Sequence, residues 1–164
     1  MRVGPGVDRV LDLYALDLPD ATAGTVLSLD TLEHVEFPHR AIGEVHRILK
    51  PGGIAVLSSV MKFPIHDYPY DYWRFTPEAF RSLLKPFSQV HVDLAGDNLF
   101  PHTVIGVGVK DGNMSFDALT KALEPWKDRW TAGRHWMPII RPWVPPILVD
   151  LYIKIHSTRR GIPA

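Results

Sequence analysis

The chain has no cysteine. That single absence excludes disulfides, thiolate metal sites and a thiol nucleophile. No uninterrupted apolar run reaches the roughly 18 residues a membrane span needs, and no apolar core of signal-peptide length follows Met1. Neither sign of charge is in excess, because Lys+Arg and Asp+Glu both total 18. A neutral balance offers no electrostatic reason to expect nucleic acid, whose binding depends on a basic surface. The eight histidines show no metal-ligand spacing such as H-E-x-x-H, so no metal is expected. A G-x-G-x-x-G run is also missing, which argues against a nucleotide-binding oxidoreductase. A cytoplasmic location is the default these absences leave. What is present is 164 residues, 46% hydrophobic and 22% charged, an ordinary composition for a soluble globular protein.

Residues 25 to 59 organise the chain. Val26, Leu27 and Leu29 form a short apolar run ending at Asp30, the pattern of a strand buried on both faces. Phe37, Ala41, Ile42, Val45, Ile48 and Leu49 then recur along one side of a helix, with Arg40, Glu44 and Arg47 facing out. Pro38 suits the first helical turn. Lys50 is expected to close the helix, and Pro51-Gly52-Gly53 to turn the chain into a second buried strand, Ile54 to Leu57. Such a strand–helix–strand unit crosses over right-handed into a parallel sheet, so the fold class is α/β. A parallel sheet gathers ligands at the carboxyl ends of its strands. Those ends carry Asp30-Thr31-Leu32-Glu33-His34 and the stretch from Ser58 to Phe75.

Positions 66 to 75 hold five aromatic rings, two carboxylates, a histidine and an arginine. Too many polar groups for a core strand, they read as a loop over the sheet's carboxyl edge. Its tyrosines and tryptophan offer flat surfaces to a substrate, and His66 or Asp67 is placed to take a proton. Arg74 pairs with Asp71 or clamps an anionic group; the competing reading is a rigid lid whose charges only tie it down. Thr76-Pro77-Glu78 starts a helix with Phe80, Leu83 and Leu84 toward the core. Two strands follow, one through Val90, Val92 and Leu94 with His91 at the surface, one through Val104 to Val109. Residues 115 to 130 suggest a helix broken at Pro125, and another begins at Ile147. Expected organisation is therefore a domain over 1–110 and a helical, Pro-rich extension over 111–164. That extension packs on the domain or a second copy, walls a pocket, or lies at a membrane surface through Trp136, Trp143 and Arg159-Arg160.

Three motifs, D-T-L-E-H-V, R-I-L-K-P-G-G and H-D-Y-P-Y-D-Y-W-R-F-T-P-E, carry a resemblance over residues 1 to 109. The chain resembles the class I S-adenosylmethionine-dependent methyltransferases of the methyltransferase domain type 11 group. The resemblance implies a Rossmann-like sheet, mostly parallel, ending in an antiparallel hairpin, with helices on its faces. It implies S-adenosylmethionine as cofactor, with Asp12 accepting from the adenine amino group and Leu13 and Tyr14 lining the adenine face. Asp30 and Thr31 would lie near the methionine end, with Leu32 near the adenine or sulfur, and His34 would be a candidate base beside His66 and Asp67. The loop residues Tyr68, Asp71, Tyr72, Trp73 and Arg74 would meet a small-molecule methyl acceptor. Val7, Val10 and Leu11, with Asp12 at the end, read as a short strand over residues 7 to 12. The family's Gly-rich strand–helix–strand has no counterpart here, so the sheet is expected to be incomplete and to expose an apolar edge, open to a second copy. A small-molecule methyltransferase impaired by that truncation, or a non-catalytic remnant acting as a binding module, both fit.

Overall fold

The computed structural model describes residues 6–131. Along them run β1 (Ala23–Ser28), a 3-10 turn (Leu32–His34), α1 (Pro38–Ile48), β2 (Leu49–Val60), α2 (Pro77–Leu83), β3 (Gln89–Gly96), β4 (Pro101–Val109) and α3 (Asp117–Thr131). The strand–helix–strand unit is there: β1 and β2 pair in parallel, with Val26 opposite Ala55. The strands form one sheet in the order β1-β2-β4-β3, and β4 runs antiparallel to both its neighbours. The α/β class and the closing hairpin are as expected, and among the described residues the sheet is mixed.

One face of the sheet carries the main core. Ile42, Val45 and Leu49 at α1 and Phe80, Leu83 and Leu84 at α2 pack on Ala55, Leu57 and Val104. Gly106 and Gly108 share this face of β4, since they pair with Leu57 and Ala55 and side chains alternate along a strand. Their missing side chains leave the room that Phe80, Leu84 and Phe87 fill. A Cβ on Gly108 would lie 2.5 to 2.8 Å from three atoms of the Phe87 ring. Gly108→Ala is therefore expected to cost about 1–3 kcal/mol through overpacking, read as a lower urea midpoint at unchanged slope. A midpoint equal to the wild type would refute the close approach.

Thr76 caps α2 as expected, its Oγ1 accepting from Ala79 N at 3.1 Å. On the opposite face, Phe116 stacks on His91 (centroids 5.2 Å apart) and Lys127 Nζ lies 3.0 Å from Asp93 Oδ1. His91 is thus half-buried rather than a free surface residue, because the segment leading into α3 covers it. These contacts also cross the expected 110/111 boundary. The helix is not broken at Pro125: α3 runs through it. Pro125 and Lys121, whose carbonyl loses its donor, both face solvent, so water replaces the missing bond at little cost.

Five local expectations are corrected. β1 is not buried on both faces. Val26 packs against the core, whereas Leu27 is 66% and Leu29 57% exposed. Among the described residues no strand lies beyond β1, so it is an edge, and the face bearing Leu27 is uncovered. Phe37 sits outside the helix as its N-cap and is exposed. Lys50 does not close α1, which ends at Ile48; Lys110 does, its Nζ donating to the carbonyls of His46 (2.8 Å) and Leu49 (2.9 Å). Pro51-Gly52-Gly53 lies within β2 as a bulge, because Ala23 pairs with Leu49 and Thr25 with Ile54. Gly52 takes φ 77° there, a backbone glycine tolerates best. Residues 7 to 12 form no strand; Asp12 Oδ1 instead accepts Tyr14 N–H at 2.8 Å, closing a turn. The segment from Ile147, with Trp136, Trp143 and Arg159-Arg160, lies outside the described residues. No helix among the described residues is long and apolar enough to cross a membrane.

Candidate active site

The carboxyl ends of β1 and β2 release two segments that fold over each other. Residues 30 to 37 follow β1, and a flap of residues 61 to 75 follows β2. They are joined by backbone: Tyr72 N and Trp73 N both donate to Glu33 O, at 2.8 and 3.2 Å. The Trp73 indole donates to Val35 O at 3.0 Å, and Phe75 N returns the flap to Val60 O at 3.3 Å.

Asp30, two residues past β1, takes φ 47°, a conformation aspartate tolerates better than most residues. Ser58 of β2 holds it there, donating to Asp30 Oδ1 at 2.9 Å and accepting Asp30 N–H at 3.1 Å. Thr31 Oγ1 donates to Leu29 O at 3.0 Å. Leu32 turns inward and is spent in the core. It offers a ligand only its backbone.

The three candidate bases come together. His34 and His66 meet edge to face with ring centroids 4.6 Å apart, and Asp67 Oδ2 lies 4.0 Å from His34 Nε2. His34 Nδ1 is 2.8 Å from Tyr70 O. A carbonyl only accepts, so Nδ1 carries a proton, and in the neutral ring Nε2 presents the lone pair. Within the flap, Asp71 and Arg74 answer to the lid reading. The Asp71 side chain is 2% exposed, takes both guanidinium nitrogens of Arg74 (2.5 and 2.7 Å) and accepts His66 N–H at 2.8 Å. The Arg74 hydrogen bonds hold its carboxyl well below the usual carboxylate range, against burial, which acts the other way. Arg74 also donates to Phe63 O and Pro64 O. The pair is therefore committed to holding the flap. Tyr68, by contrast, is 88% exposed, and Tyr70, Tyr72 and Trp73 also reach solvent. Burial, then the nearby Glu36, Tyr14 and Tyr70, raises the Tyr72 phenol above its ordinary value.

Tyr14 reaches the same rim. Its hydroxyl accepts Phe37 N–H at 3.1 Å and its ring lies under Arg40, 5.1 Å from the guanidinium carbon. Asp12 and Leu13 stand in the same turn. Two residues that the helical pattern turned outward prove to hold the segment that follows this turn. Arg47 binds Glu44 Oε2 (2.8 Å), Asp20 Oδ1 (2.6 Å) and the carbonyls of Leu16 and Leu18, while Glu44 accepts Leu16 N–H. Arg47, then Leu16 N–H, lowers Glu44 to about 2. Only their i, i+3 spacing was visible beforehand. Glu33, expected with His34 to start the loop after β1, lies fully buried with Oε2 accepting from Ser59 Oγ at 2.6 Å.

Residues 4–57 match the family model described as a methyltransferase domain. The 2-methyl-6-phytyl-1,4-hydroquinone methyltransferase of Synechocystis sp. is 28% identical over 134 residues, 80% of this chain and 39% of that protein. The chain thus spans well under half the length of that curated relative. A methyltransferase of Thermotoga maritima, titled a possible histamine N-methyltransferase, superposes with a TM-score of 0.51 at 20% identity, over 60% of this chain and 61% of that one. The CurJ carbon methyltransferase superposes with a TM-score of 0.51 at 16% identity, over 62% and 34% of the two chains. At such identities the structural likeness shows the fold.

Proposed function

From the premise that the chain has the class I S-adenosylmethionine-dependent methyltransferase fold, we propose that it contributes the acceptor side and part of the donor side of a site that methylates a small molecule. The observation that carries this reading is the meeting of His34 with His66 and Asp67 of the exposed aromatic flap, at the carboxyl ends of two parallel strands. The hydroquinone acted on by the Synechocystis relative makes a ring-bearing hydroxyl or carbon acceptor the first class to try. Tyr68, Tyr70, Tyr72 and Trp73 have the exposed faces such a ring stacks on.

The donor side fits in part. Asp12, Leu13 and Tyr14 form an ordered turn whose exposed carboxylate, an acceptor only, suits an adenine amino group. Asp30 and Thr31, held by Ser58 and Leu29 O, stand where the methionine end would lie. No Gly-rich turn between a strand and a helix occurs among the described residues. When bound, S-adenosylmethionine supplies an already activated sulfonium methyl. The chain's own work is then alignment, which yields much of the rate, and acceptance of the acceptor's proton by the His34–His66–Asp67 cluster. The neutral overall charge supports a small acceptor over nucleic acid.

Calorimetric titration with S-adenosylmethionine tests the reading. Binding at up to millimolar cofactor is expected, weakened by about 1–3 kcal/mol in Asp12→Ala if that carboxylate receives the adenine amino group. Heat absent throughout would favour the second reading, a non-catalytic module. The open edge of β1, with Leu27 and Leu29 exposed, supports that alternative, since such an edge invites pairing with a second copy.

A further inference from the structure

Glu33 poses a chemical problem. Its side chain is fully buried, Oε2 is satisfied by Ser59, and Oε1 is buried with no hydrogen-bond partner. A buried carboxylate oxygen left unpaired costs more than almost any other polar defect. Beside it stand two imidazoles. One ligating atom from each of Glu33, His34 and His66 can be chosen so that all lie within 4.8 Å of one another.

We propose that Glu33, His34 and His66 form a divalent-cation site, with Asp67 at its mouth. The imidazoles are already set in the tautomer that a metal needs. His34 donates Nδ1–H to Tyr70 O at 2.8 Å. His66 Nδ1 lies 3.2 Å from Pro64 O and 3.3 Å from Asp71 Oδ2, both acceptors. Each ring thus keeps its Nε2 lone pair for the cation, and Asp71 behind His66 is the carboxylate support that orients ligating histidines. Ser59 does the same for Glu33. Ligands around a tetrahedral ion with bonds of about 2.1 Å sit roughly 3.4 Å apart, so closure needs only a small inward turn of the rings. Two nitrogens and one oxygen suit zinc or another first-row transition ion, not calcium or magnesium, which take oxygen shells. Three protein ligands leave a fourth position open to water or an acceptor oxygen. Spacing alone hid this group, because α1 and β2 separate His66 from the Glu33-His34 pair; the proposal departs here from the expectation of no metal.

With a cation bound, the His34 and His66 lone pairs are taken up and Asp67 is left to accept the acceptor's proton; the site is tested without cofactor or acceptor, so its failure is distinguishable from that of the methyl-transfer reading. Chelator-stripped protein is titrated with Zn2+ by calorimetry and with Co2+ by visible absorption. One equivalent should bind at micromolar concentration or tighter. Glu33→Gln and His66→Gln should each weaken binding at least tenfold, while His39→Ala, at an exposed histidine, should leave it unchanged. If Glu33→Gln does not fold, as judged by circular dichroism, His66→Gln decides alone. No binding, or equal binding in wild type and His66→Gln, overturns the proposal.

Discussion

Truncating Phe80 to alanine is expected to remove about 3–5 kcal/mol, a large part of the stability a domain of this size has. The ring is 0% exposed and stands edge to face with Phe75, centroids 5.5 Å apart. It also fills the hollow over Gly106, where an added Cβ would lie 2.6 Å from Phe80 Cδ1. Backbone lines that hollow, so it cannot collapse to recover the lost contacts, and the cavity term adds in full. The loss should reach the candidate site too, because Phe75 is where the flap rejoins the core. Urea unfolding gives the number. A cost below about 1 kcal/mol would mean that Phe80 is not central to the core.

Replacing Asp71 by asparagine is expected to cost about 3 kcal/mol, the lower end for breaking a buried ion pair, because Arg74 keeps some access to water. It leaves the guanidinium without its charge partner and loosens the support behind His66. The sign of the pH effect follows from the direction of the shift. Asp71 titrates lower in the folded chain than its unfolded value of about 3.9. Its stabilisation is therefore complete above that value and is lost as pH falls below it. Glu44, lowered to about 2, acts in the same direction over the same acid range. Melting temperature followed from pH 6 to pH 2 should fall steeply for the wild type and less steeply for Asp71→Asn. Parallel curves would show that the Asp71–Arg74 pair does not hold the fold.

Much of the architecture was legible in local pattern. The helical spacing of Ala41, Ile42, Val45 and Ile48 and the Thr76-Pro77 start each correspond to an element in its place. The exposure of Leu27 was not legible, because an apolar run reads alike at the centre and at the edge of a sheet. Nor was the continuity of α3 through Pro125, which depends on that residue facing water. His34, His66 and Asp67 were visible as reactive types at strand ends, but their meeting was not.

By itself the sequence determined the elements and the rim where the chemistry gathers, since both follow from periodicities of two and of three to four residues. The tertiary structure alone decided which side chains meet. Glu33 finds Ser59, Arg47 finds Leu16 and Leu18, and Tyr14 finds Phe37. Contacts across 23 to 31 residues are set by sheet register and crossover geometry, and no local run of side chains encodes those.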